Sequence, residues 1–159
     1  SIVGVSGPSG VGKSTYLRTK CNDLNRIGTS AYYLPSDPVI YEASLTANVY
    51  PDNEGLSFND LILRILTTSE RFNEGAGNIK LTSNGSNISS GERQRVCISR
   101  ALAAGSELVV FDENLSNLDI ESVKNIILAI RDANIDSKIV IVTHNSEILK
   151  LCDEIFYLK

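Results

Sequence analysis

A short segment near the start of the chain has the residue types and spacing of a phosphate-binding loop. Residues 7–15 read GPSGVGKST and match the pattern G-x-x-x-x-G-K-[ST]. Glycines let backbone N–H groups converge on phosphate oxygens, and the start of a following helix adds partial positive charge. We expect a nucleoside triphosphate to be held by Gly7, Pro8, Ser9, Gly10, Val11, Gly12, Lys13, Ser14 and Thr15. Lys13 would reach the β- and γ-phosphates, and the Ser14 hydroxyl would ligate Mg²⁺.

Two adjacent carboxylates follow a short apolar run further along the chain. Residues 107–113 read ELVVFDE, so Asp112 and Glu113 stand at the end of an apolar strand. A carboxylate at a strand tip beside a phosphate loop can hold Mg²⁺ through water. A second carboxylate can orient or deprotonate an attacking water. The alternative interpretation is an acidic pair that caps the next helix.

Short apolar runs alternate with helical stretches along most of the chain. Residues 2–5, 31–34, 108–111 and 139–142 are runs typical of buried parallel strands, and residues 155–158 are a fifth. Apolar residues recur at helical spacing within 13–27 and from Val123 to Ile130. This alternation predicts an α/β fold with a mainly parallel sheet. The phosphate loop would then follow the first strand directly.

The middle of the chain departs from the alternation. Residues 58–66 have a helical pattern, and residues 73–87 are rich in Asn, Gly and Ser. We therefore predict a mainly helical insertion with loop ends between about residues 39 and 87.

Length, charge and composition exclude several classes of protein. With 159 residues, 42% of them apolar, the chain is long enough for one globular domain. No apolar run approaches the ~18 residues of a membrane span. The net charge of −4 argues against a nucleic-acid partner, because phosphate neutralisation requires a basic surface.

The cysteines and the first residues bear on the setting of the protein. Cys21, Cys97 and Cys152 show neither metal-ligand spacing nor a disulfide framework, which favours a reducing compartment. The chain begins at Ser1, has no methionine and reaches its first motif within a few residues. We interpret it as a segment of a longer polypeptide without a signal peptide.

A further group of motifs completes a recognisable order. Residues 88–95 read ISSGERQR and open a predicted helix, residues 114–119 read NLSNLD, and Thr143 and His144 end a predicted strand. Together with the phosphate loop and the acidic strand, this order resembles the ATP-binding-cassette (ABC) ATPases over nearly the whole chain. The resemblance implies a P-loop NTPase (RecA-like) core from residues 1–37 and 88–159, with a small helical subdomain from residues 38–87. The antiparallel β-subdomain of the family is largely missing.

The resemblance also implies a head-to-tail pair of domains with two ATP molecules between them. The signature segment of one copy would close over the γ-phosphate held by the other, through Ser89, Ser90, Gly91 and Glu92. Asp119 would communicate across the dimer.

Hydrolysis would use residues at the ends of two strands, if the resemblance holds. Asp112 would help to hold Mg²⁺, Glu113 would be the catalytic base, and His144 would contact the γ-phosphate as a switch. The reaction would be γ-phosphoryl transfer to water, with ATP and Mg²⁺ as the cofactors.

Finer features are similar to the exporter branch of the family. Residues 33–49, YLPSDPVIYEASLTANV, are similar to the Q-loop and the segment after it in exporters, as are residues 85–87. This similarity implies a transmembrane exporter domain as partner, often on the same chain. The domain would then lie on the cytoplasmic face of a membrane.

The chain departs from the family pattern at several positions. Ser36 stands where the Q-loop glutamine is expected, and Asp37 is only a weak substitute. Ser90 replaces a glycine, and Glu92 replaces a glutamine. The aromatic residue that stacks on adenine is missing, and its possible replacements are also core-packing candidates: Tyr16, Tyr32 and Tyr33.

Two other functions remain open at this stage. The chain could be an ATP-dependent dimerisation module with little or no hydrolysis, which Ser36, Ser90 and the missing β-subdomain favour. It could also be a DNA-repair or chromosome-maintenance ATPase of the same superfamily. Those proteins carry a long coiled-coil insertion, and the segment between Ser36 and Ile88 is short and lacks sustained heptads.

Overall fold

A computed structural model describes residues 1–8, 12–53, 55–67, 69, 71–72 and 76–159. Strands and helices alternate along this part of the chain except between residues 31 and 66, where two strands are followed by two helices. In chain order they are β1 (Ile2–Ser6), α1 (Lys13–Arg26), β2 (Ala31–Leu34), β3 (Ala43–Ser44), α2 (Leu45–Val49), α3 (Asp60–Leu66), β4 (Lys80–Leu81), α4 (Ser90–Ala103), β5 (Leu108–Asp112), α5 (Ile120–Ala133), β6 (Lys138–Val142), α6 (Ser146–Leu149) and β7 (Glu154–Tyr157).

Five of the described strands form one parallel sheet in the order β2-β5-β6-β1-β7. The register pairs Val5 of β1 with Val142 of β6, and Val142 in turn with Asp112 of β5. The carboxyl ends of these three central strands therefore meet at one edge of the sheet. The predicted α/β fold and its mainly parallel sheet are confirmed.

Helices cover both faces of this sheet, because successive side chains of a strand point to opposite faces. Val110 packs on the α1 side together with Cys21 and Leu17. Val109 and Phe111 pack on the other side in the larger cluster, which also holds the apolar faces of α4 and α5. The result is a three-layer core with the sheet in the middle.

The segment between β2 and α4 is less helical than its sequence pattern predicts. Within its described residues, the helices α2 and α3 have only five and seven residues, and β3 pairs with β4 as a short antiparallel ribbon. Asn59 caps α3, so that this helix begins at Asp60 rather than at residue 58. The low-complexity residues 73–75 lie outside the described part.

Packing explains the short elements of this segment. Its apolar residues, among them Leu45, Ile62 and Leu81, are buried in the same cluster as α4. Each of the two short helices buries four residues against this core. Tertiary contact therefore outweighs the weak helix propensity of a segment rich in Gly, Asn and Pro. The boundaries of a separate subdomain at residues 38–87 stay a prediction.

The structure describes the three cysteines and the lengths of the helices. Cys21, Cys97 and Cys152 are free thiols, and burial raises the pKa of each. No helix in the described ranges is both long enough and apolar enough to cross a lipid bilayer.

A buried arginine joins α4 to the segment that follows β2. Arg100 is 6% exposed, and its guanidinium donates to the carbonyl oxygens of Asn48 at 2.7 Å and Val39 at 2.8 Å. It also donates to the Asn48 side-chain oxygen at 3.1 Å and lies over the Tyr41 ring. One side chain therefore satisfies two buried acceptors on Asn48 and a partly buried one on Val39.

We expect Arg100→Met to lower the free energy of unfolding by about 2–4 kcal/mol, because the substitution removes the donor to the buried Asn48 carbonyl oxygen and breaks the other contacts of this guanidinium. Urea denaturation followed by far-UV circular dichroism measures the change. Arg26→Met, at an exposed arginine at the end of α1, is the matched control and should change the stability by less than about 0.5 kcal/mol. Equal effects of the two substitutions would contradict a structural role for the Arg100 contacts.

Candidate functional site

A pocket of about 300 Å³ opens at the carboxyl edge of the central strands. It lies between the start of α1, the end of β5 and the residue that follows Thr143 after β6. The pocket is lined by Gly12, Lys13, Ser14, Thr15, Asp112, Glu113 and His144. The fold therefore brings together the predicted phosphate-holding, metal-holding and hydrolytic residues from three distant parts of the sequence.

The start of α1 is suited to bind an anion. Gly12 caps this 14-residue helix with a φ of 83°, a left-handed conformation that favours glycine, and as a glycine it contributes no side-chain cap. The first N–H groups and the positive end of the helix dipole are thus available to a phosphate. Gly7 is needed for another reason, since a Cβ there would lie 2.7 Å from the Leu158 carbonyl oxygen. Ser9, Gly10 and Val11 lie outside the described residues.

Lys13 lies across the base of the loop. Its side chain is nearly buried, and its ammonium donates to the carbonyl oxygens of Gly7 at 2.7 Å and Pro8 at 3.0 Å. These two contacts keep the positive charge beside the pocket. A bound phosphate can compete for the same ammonium, because a charged oxygen is a stronger acceptor than a carbonyl.

Asp112 is buried at the tip of β5, where it is 2% exposed. Its Oδ2 accepts a hydrogen bond from the Tyr33 hydroxyl, which comes from the neighbouring strand β2. Burial raises the pKa of Tyr33 to about 12, with a further contribution from the Asp112 carboxylate. The donor is therefore neutral at any physiological pH.

The oxygen atoms at this end of the pocket fit a magnesium ion. Mg²⁺ prefers hard oxygen ligands, usually one or two from the protein together with water and phosphate oxygens. The Ser14 hydroxyl and the Asp112 carboxylate are such ligands, and both line the pocket beside the anion-binding start of α1.

Glu113 has a strained backbone and a fixed side chain. Its φ of 62° and ψ of 8° are left-handed, which is uncommon for a residue with a Cβ. Its N–H donates to the Val142 carbonyl oxygen at 2.9 Å, which holds the residue at the end of the sheet. Its Oε2 accepts from the Ser116 hydroxyl at 2.8 Å, and its Oε1 lies 3.4 Å from His144 Nε2. Strain of this kind is characteristic of functional sites.

His144 is half-exposed at the mouth of the pocket. The residue before it is anchored, because the buried Thr143 hydroxyl lies 2.8 Å from Ser116 Oγ and accepts from the Asn145 N–H at 3.0 Å. Ser116 thus contacts both Glu113 and the strand end that carries His144.

The signature residues lie outside the lining of this pocket, at the start of α4. Ser89 and Glu92 form a reciprocal capping box, in which each side chain accepts from the backbone N–H of the other. Glu92 is nearly buried and also accepts from Ser69, while Ser89 and Ser90 are exposed. Burial would raise the pKa of Glu92, but hydrogen bonds from Ser69 and Ser89 and the Arg71 charge outweigh it and lower the pKa.

Asp119 also caps a helix at the surface. Its two carboxylate oxygens accept from the N–H of Ser122 at 2.9 Å and from the Ser122 hydroxyl at 2.8 Å, which lowers the pKa of Asp119. Gly91 lies close to the Arg95 side chain, which donates to the same Ser122 hydroxyl. The signature helix and the residue predicted to communicate across a dimer are therefore linked through Ser122.

Ser36 and Asp37, the residues that depart from the family pattern in the predicted Q-loop, are both absent from the lining of the pocket. Ser36 is exposed. Asp37 is paired with Arg93 of α4 at 2.8 Å, so that its carboxylate is engaged away from the phosphate loop.

The three tyrosines that could stack on a base are in different environments. Tyr32 is half-buried against the core. Burial raises the pKa of its hydroxyl, and the nearby Arg100 charge opposes this shift. The Tyr33 hydroxyl is engaged by Asp112. Tyr16 is 53% exposed and lines a smaller pocket of about 180 Å³, which shares Gly12 and Lys13 with the phosphate pocket.

Comparison with known proteins gives the family. The family model described as "ABC transporter" matches residues 1–116. The phosphate import ATP-binding protein PstB of Leifsonia xyli subsp. xyli is 32% identical over 92% of this chain and 69% of its own length. The chain belongs to the ABC transporter family. It is an ABC ATPase domain, as the motif order predicts.

Other relatives differ in how much of their own length this chain covers. A probable ABC transporter ATP-binding/permease protein of Haemophilus influenzae is 28% identical over 97% of this chain, but the chain spans only 32% of it. A second PstB protein, from Synechocystis, is 32% identical, and the chain spans 65% of it. The solved structure of a bacterial Atm1-family ABC exporter with ATP bound superposes on the whole chain with a TM-score of 0.84 at 21% identity, which shows a common fold.

Four hydrogen bonds that support the site of this ABC domain were not predicted from the sequence motifs. Ser116 holds the Glu113 side chain, Tyr33 holds Asp112, and the buried Asn114 donates to the Pro35 carbonyl oxygen at 2.8 Å and to Gln94 Oε1 at 3.3 Å. Ser116 could have been found from its position three residues after Glu113, within one helical turn. The other contacts span 20 or 79 positions in sequence and leave no local signal.

We expect Asn114→Asp to lower the free energy of unfolding by about 3 kcal/mol. A carboxylate would bring negative charge against two acceptors, the Pro35 carbonyl and the Gln94 side-chain oxygen, in a position without access to water. Thermal and urea unfolding measure the loss. Asn117→Asp in the same short turn is the control, because Asn117 is exposed. A stability of Asn114→Asp within 0.5 kcal/mol of the native chain would refute this account.

Proposed function

We propose that this ABC domain binds Mg²⁺ and ATP, hydrolyses the γ-phosphate and thereby powers a membrane transporter. The observation that carries the proposal is the pocket in which Lys13, Asp112, Glu113 and His144 surround the start of α1. A site built only to hold phosphate needs no second carboxylate. The presence of Glu113 beside Asp112 supports chemistry rather than binding alone.

The residues of the pocket have different roles, and each role follows from the charge or dipole that the residue carries. Lys13 and the N–H groups at the start of α1 bind the β- and γ-phosphates, while Ser14 and Asp112 hold the metal. Mg²⁺, when bound, neutralises the charge that develops on the phosphate oxygens. Most of the catalytic effect then comes from positioning and electrostatic stabilisation.

Glu113 is the residue that takes the proton from the attacking water. Ser116 donates to one of its oxygens, Oε2, and the other oxygen, Oε1, lies 3.4 Å from His144 Nε2. His144 lies at the mouth of the pocket, where it contacts the γ-phosphate and orients the same carboxylate. Because both groups sit on strand ends, their separation is set by the sheet.

A pair of such domains in head-to-tail arrangement completes the site. Ser90 is exposed at the first position of the 14-residue helix α4, where it is available to a phosphate held by another copy. Asp119 is also exposed, and the Ser122 hydroxyl links it to Arg95 of α4. Glu92 supports this surface from within by capping α4.

The two competing functions receive less support. A module that binds ATP without turnover has no need for a strained Glu113 with an ordered hydroxyl donor. A chromosome-maintenance ATPase would carry a long coiled coil before the signature helix. In the described part of residues 38–87 the longest helix has seven residues, and the chain is acidic rather than basic.

We expect Glu113→Gln to reduce phosphate release from Mg-ATP by about 100-fold or more, because an amide cannot accept the proton of the attacking water. The substituted chain should accumulate as an ATP-bound dimer, which size-exclusion chromatography with multi-angle light scattering detects. Phosphate release and nucleotide binding are measured in parallel on the same preparations.

Glu154→Gln is the matched control for this experiment. It removes the same charge at an exposed position of β7, at the opposite edge of the sheet from the pocket. Equal hydrolysis by Glu113→Gln and the native chain would exclude Glu113 as the base. ATP binding by both chains without any turnover would favour the non-hydrolysing module.

Export is the direction of transport that we propose, on the similarity of residues 33–49 and 85–87 to exporters. A membrane domain would then be part of the same polypeptide, as the name of the H. influenzae ATP-binding/permease protein indicates for that protein. The PstB relatives are named for phosphate import, and their identity with this chain makes import the second candidate. In either case the domain would lie on the cytoplasmic face of the membrane.

The two candidate arrangements, a fused membrane domain and a separate ATP-binding subunit, differ in how the native polypeptide is attached to the membrane. An antibody raised against this chain should detect a protein that stays in the membrane fraction after an alkaline carbonate wash, because a fused membrane domain is held by spanning helices. An integral membrane protein of known behaviour serves as the control. Release of the detected protein into the wash would favour a separate subunit of an importer.

A further inference from the structure

Tyr33 connects the edge strand β2 to the phosphate pocket. It pairs with Val110 in the register of β2 and β5, so that its ring lies on the α1 face of the sheet beside Leu17 and Cys21. The Arg18 guanidinium lies 5.2 Å from the centre of the ring. From this position the hydroxyl reaches the carboxylate two residues further along β5.

The Asp112 carboxylate, which the Tyr33 hydroxyl reaches, depends on this hydroxyl for its hydrogen bonding. Asp112 is buried, and Tyr33 is the one hydrogen-bond donor to it in the part of the chain that the structure describes. A buried carboxylate needs donors, because removal from water disfavours its charge. The tyrosine oxygen therefore contacts one of the two residues that fit Mg²⁺ directly.

We propose that Tyr33 is a positioning residue for the metal, acting through Asp112. The inference rests on the proposed function. By donating to Oδ2, the hydroxyl fixes the rotation of the carboxylate and leaves Oδ1 for the metal or for a metal-bound water. Partners that orient a ligating carboxylate typically contribute 10–100-fold to metal affinity.

The surroundings of the ring argue against stacking on a base. Arg18 covers the ring, and the apolar neighbours Leu17 and Val110 enclose it within the sheet–helix layer. Removal of the hydroxyl alone, in Tyr33→Phe, keeps this packing. The substitution therefore separates the contact with Asp112 from the contribution of the ring to the core.

The test is the Mg²⁺ dependence of nucleotide binding, measured with a fluorescent ATP analogue on chains that carry Glu113→Gln to prevent turnover. We expect Tyr33→Phe to raise the half-saturating Mg²⁺ concentration about 10-fold or more. Binding of the analogue in EDTA should stay within about twofold of the parent, because the phosphate loop is unchanged. Tyr32→Phe removes a hydroxyl from the adjacent residue on the other face of the sheet and should leave the Mg²⁺ requirement unchanged.

A double substitution keeps the test independent of any loss of stability. If Tyr33 acts only through the Asp112 carboxylate, Tyr33→Phe should have no further effect on the Mg²⁺ requirement in a chain that carries Asp112→Asn. This combination removes the buried charge together with its donor, so that no unpaired carboxylate remains in the core. An undiminished effect of Tyr33→Phe in that background would overturn the proposal.

The remaining outcomes are also decisive. An unchanged Mg²⁺ requirement in Tyr33→Phe would overturn the positioning role while leaving the ATPase proposal intact. Equal loss of binding with and without Mg²⁺ would overturn it as well, because the defect would then lie in the phosphate loop or the fold. Failure of the parent chain to bind the analogue at any Mg²⁺ concentration would overturn both proposals.

Discussion

The parallel pairing of β1, β5 and β6 is the constraint on which the rest of the structure depends. Their register brings the end of β1, which leads to the phosphate loop, level with Asp112 and with the residues that follow Val142. A helix start, a carboxylate pair and a histidine therefore converge although they are distant in sequence. The separation between them is rigid, because it is set by backbone hydrogen bonds between buried strands. A side-chain substitution can alter the chemistry of this edge without changing its geometry.

The same edge concentrates features that oppose folding. Asp112 is a buried carboxylate, and Glu113 has a left-handed backbone. Each has a local support that offsets part of its cost: the Tyr33 hydroxyl for the charge, and the Val142 carbonyl together with the Ser116 hydroxyl for the strained residue. Local conflict of this kind is expected where a site is selected for reaction rather than for stability. The surrounding apolar core buries α4 together with the sheet and with the segment between β2 and α4. It supplies the stability that the site lacks.

The parts of this fold that could be predicted from sequence are those with a local signal. Unbroken apolar runs identified the strands of the parallel sheet, and the glycine and lysine spacing identified the loop before α1. The segment between β2 and α4 could not be predicted well, because its short helices form only where their few apolar residues meet the shared core. The supports of the site were missed for a related reason. Tyr33 and Asp112 lie on different strands, and only the strand order makes them neighbours.

The contacts around Ser36 indicate how motion at the nucleotide could reach the rest of the domain. Serine is too short to bridge from the Q-loop to the phosphate pocket. The backbone on either side of it is nevertheless held from α4 and from the end of β5, because carbonyl oxygens in residues 35–39 accept from Asn114, Arg93 and Arg100. Asn114 directly follows Glu113, and it also donates to Gln94 within the signature helix. One buried amide, in the residue next to Glu113, therefore joins the end of β5 to residue 35 and to α4, without a glutamine at residue 36.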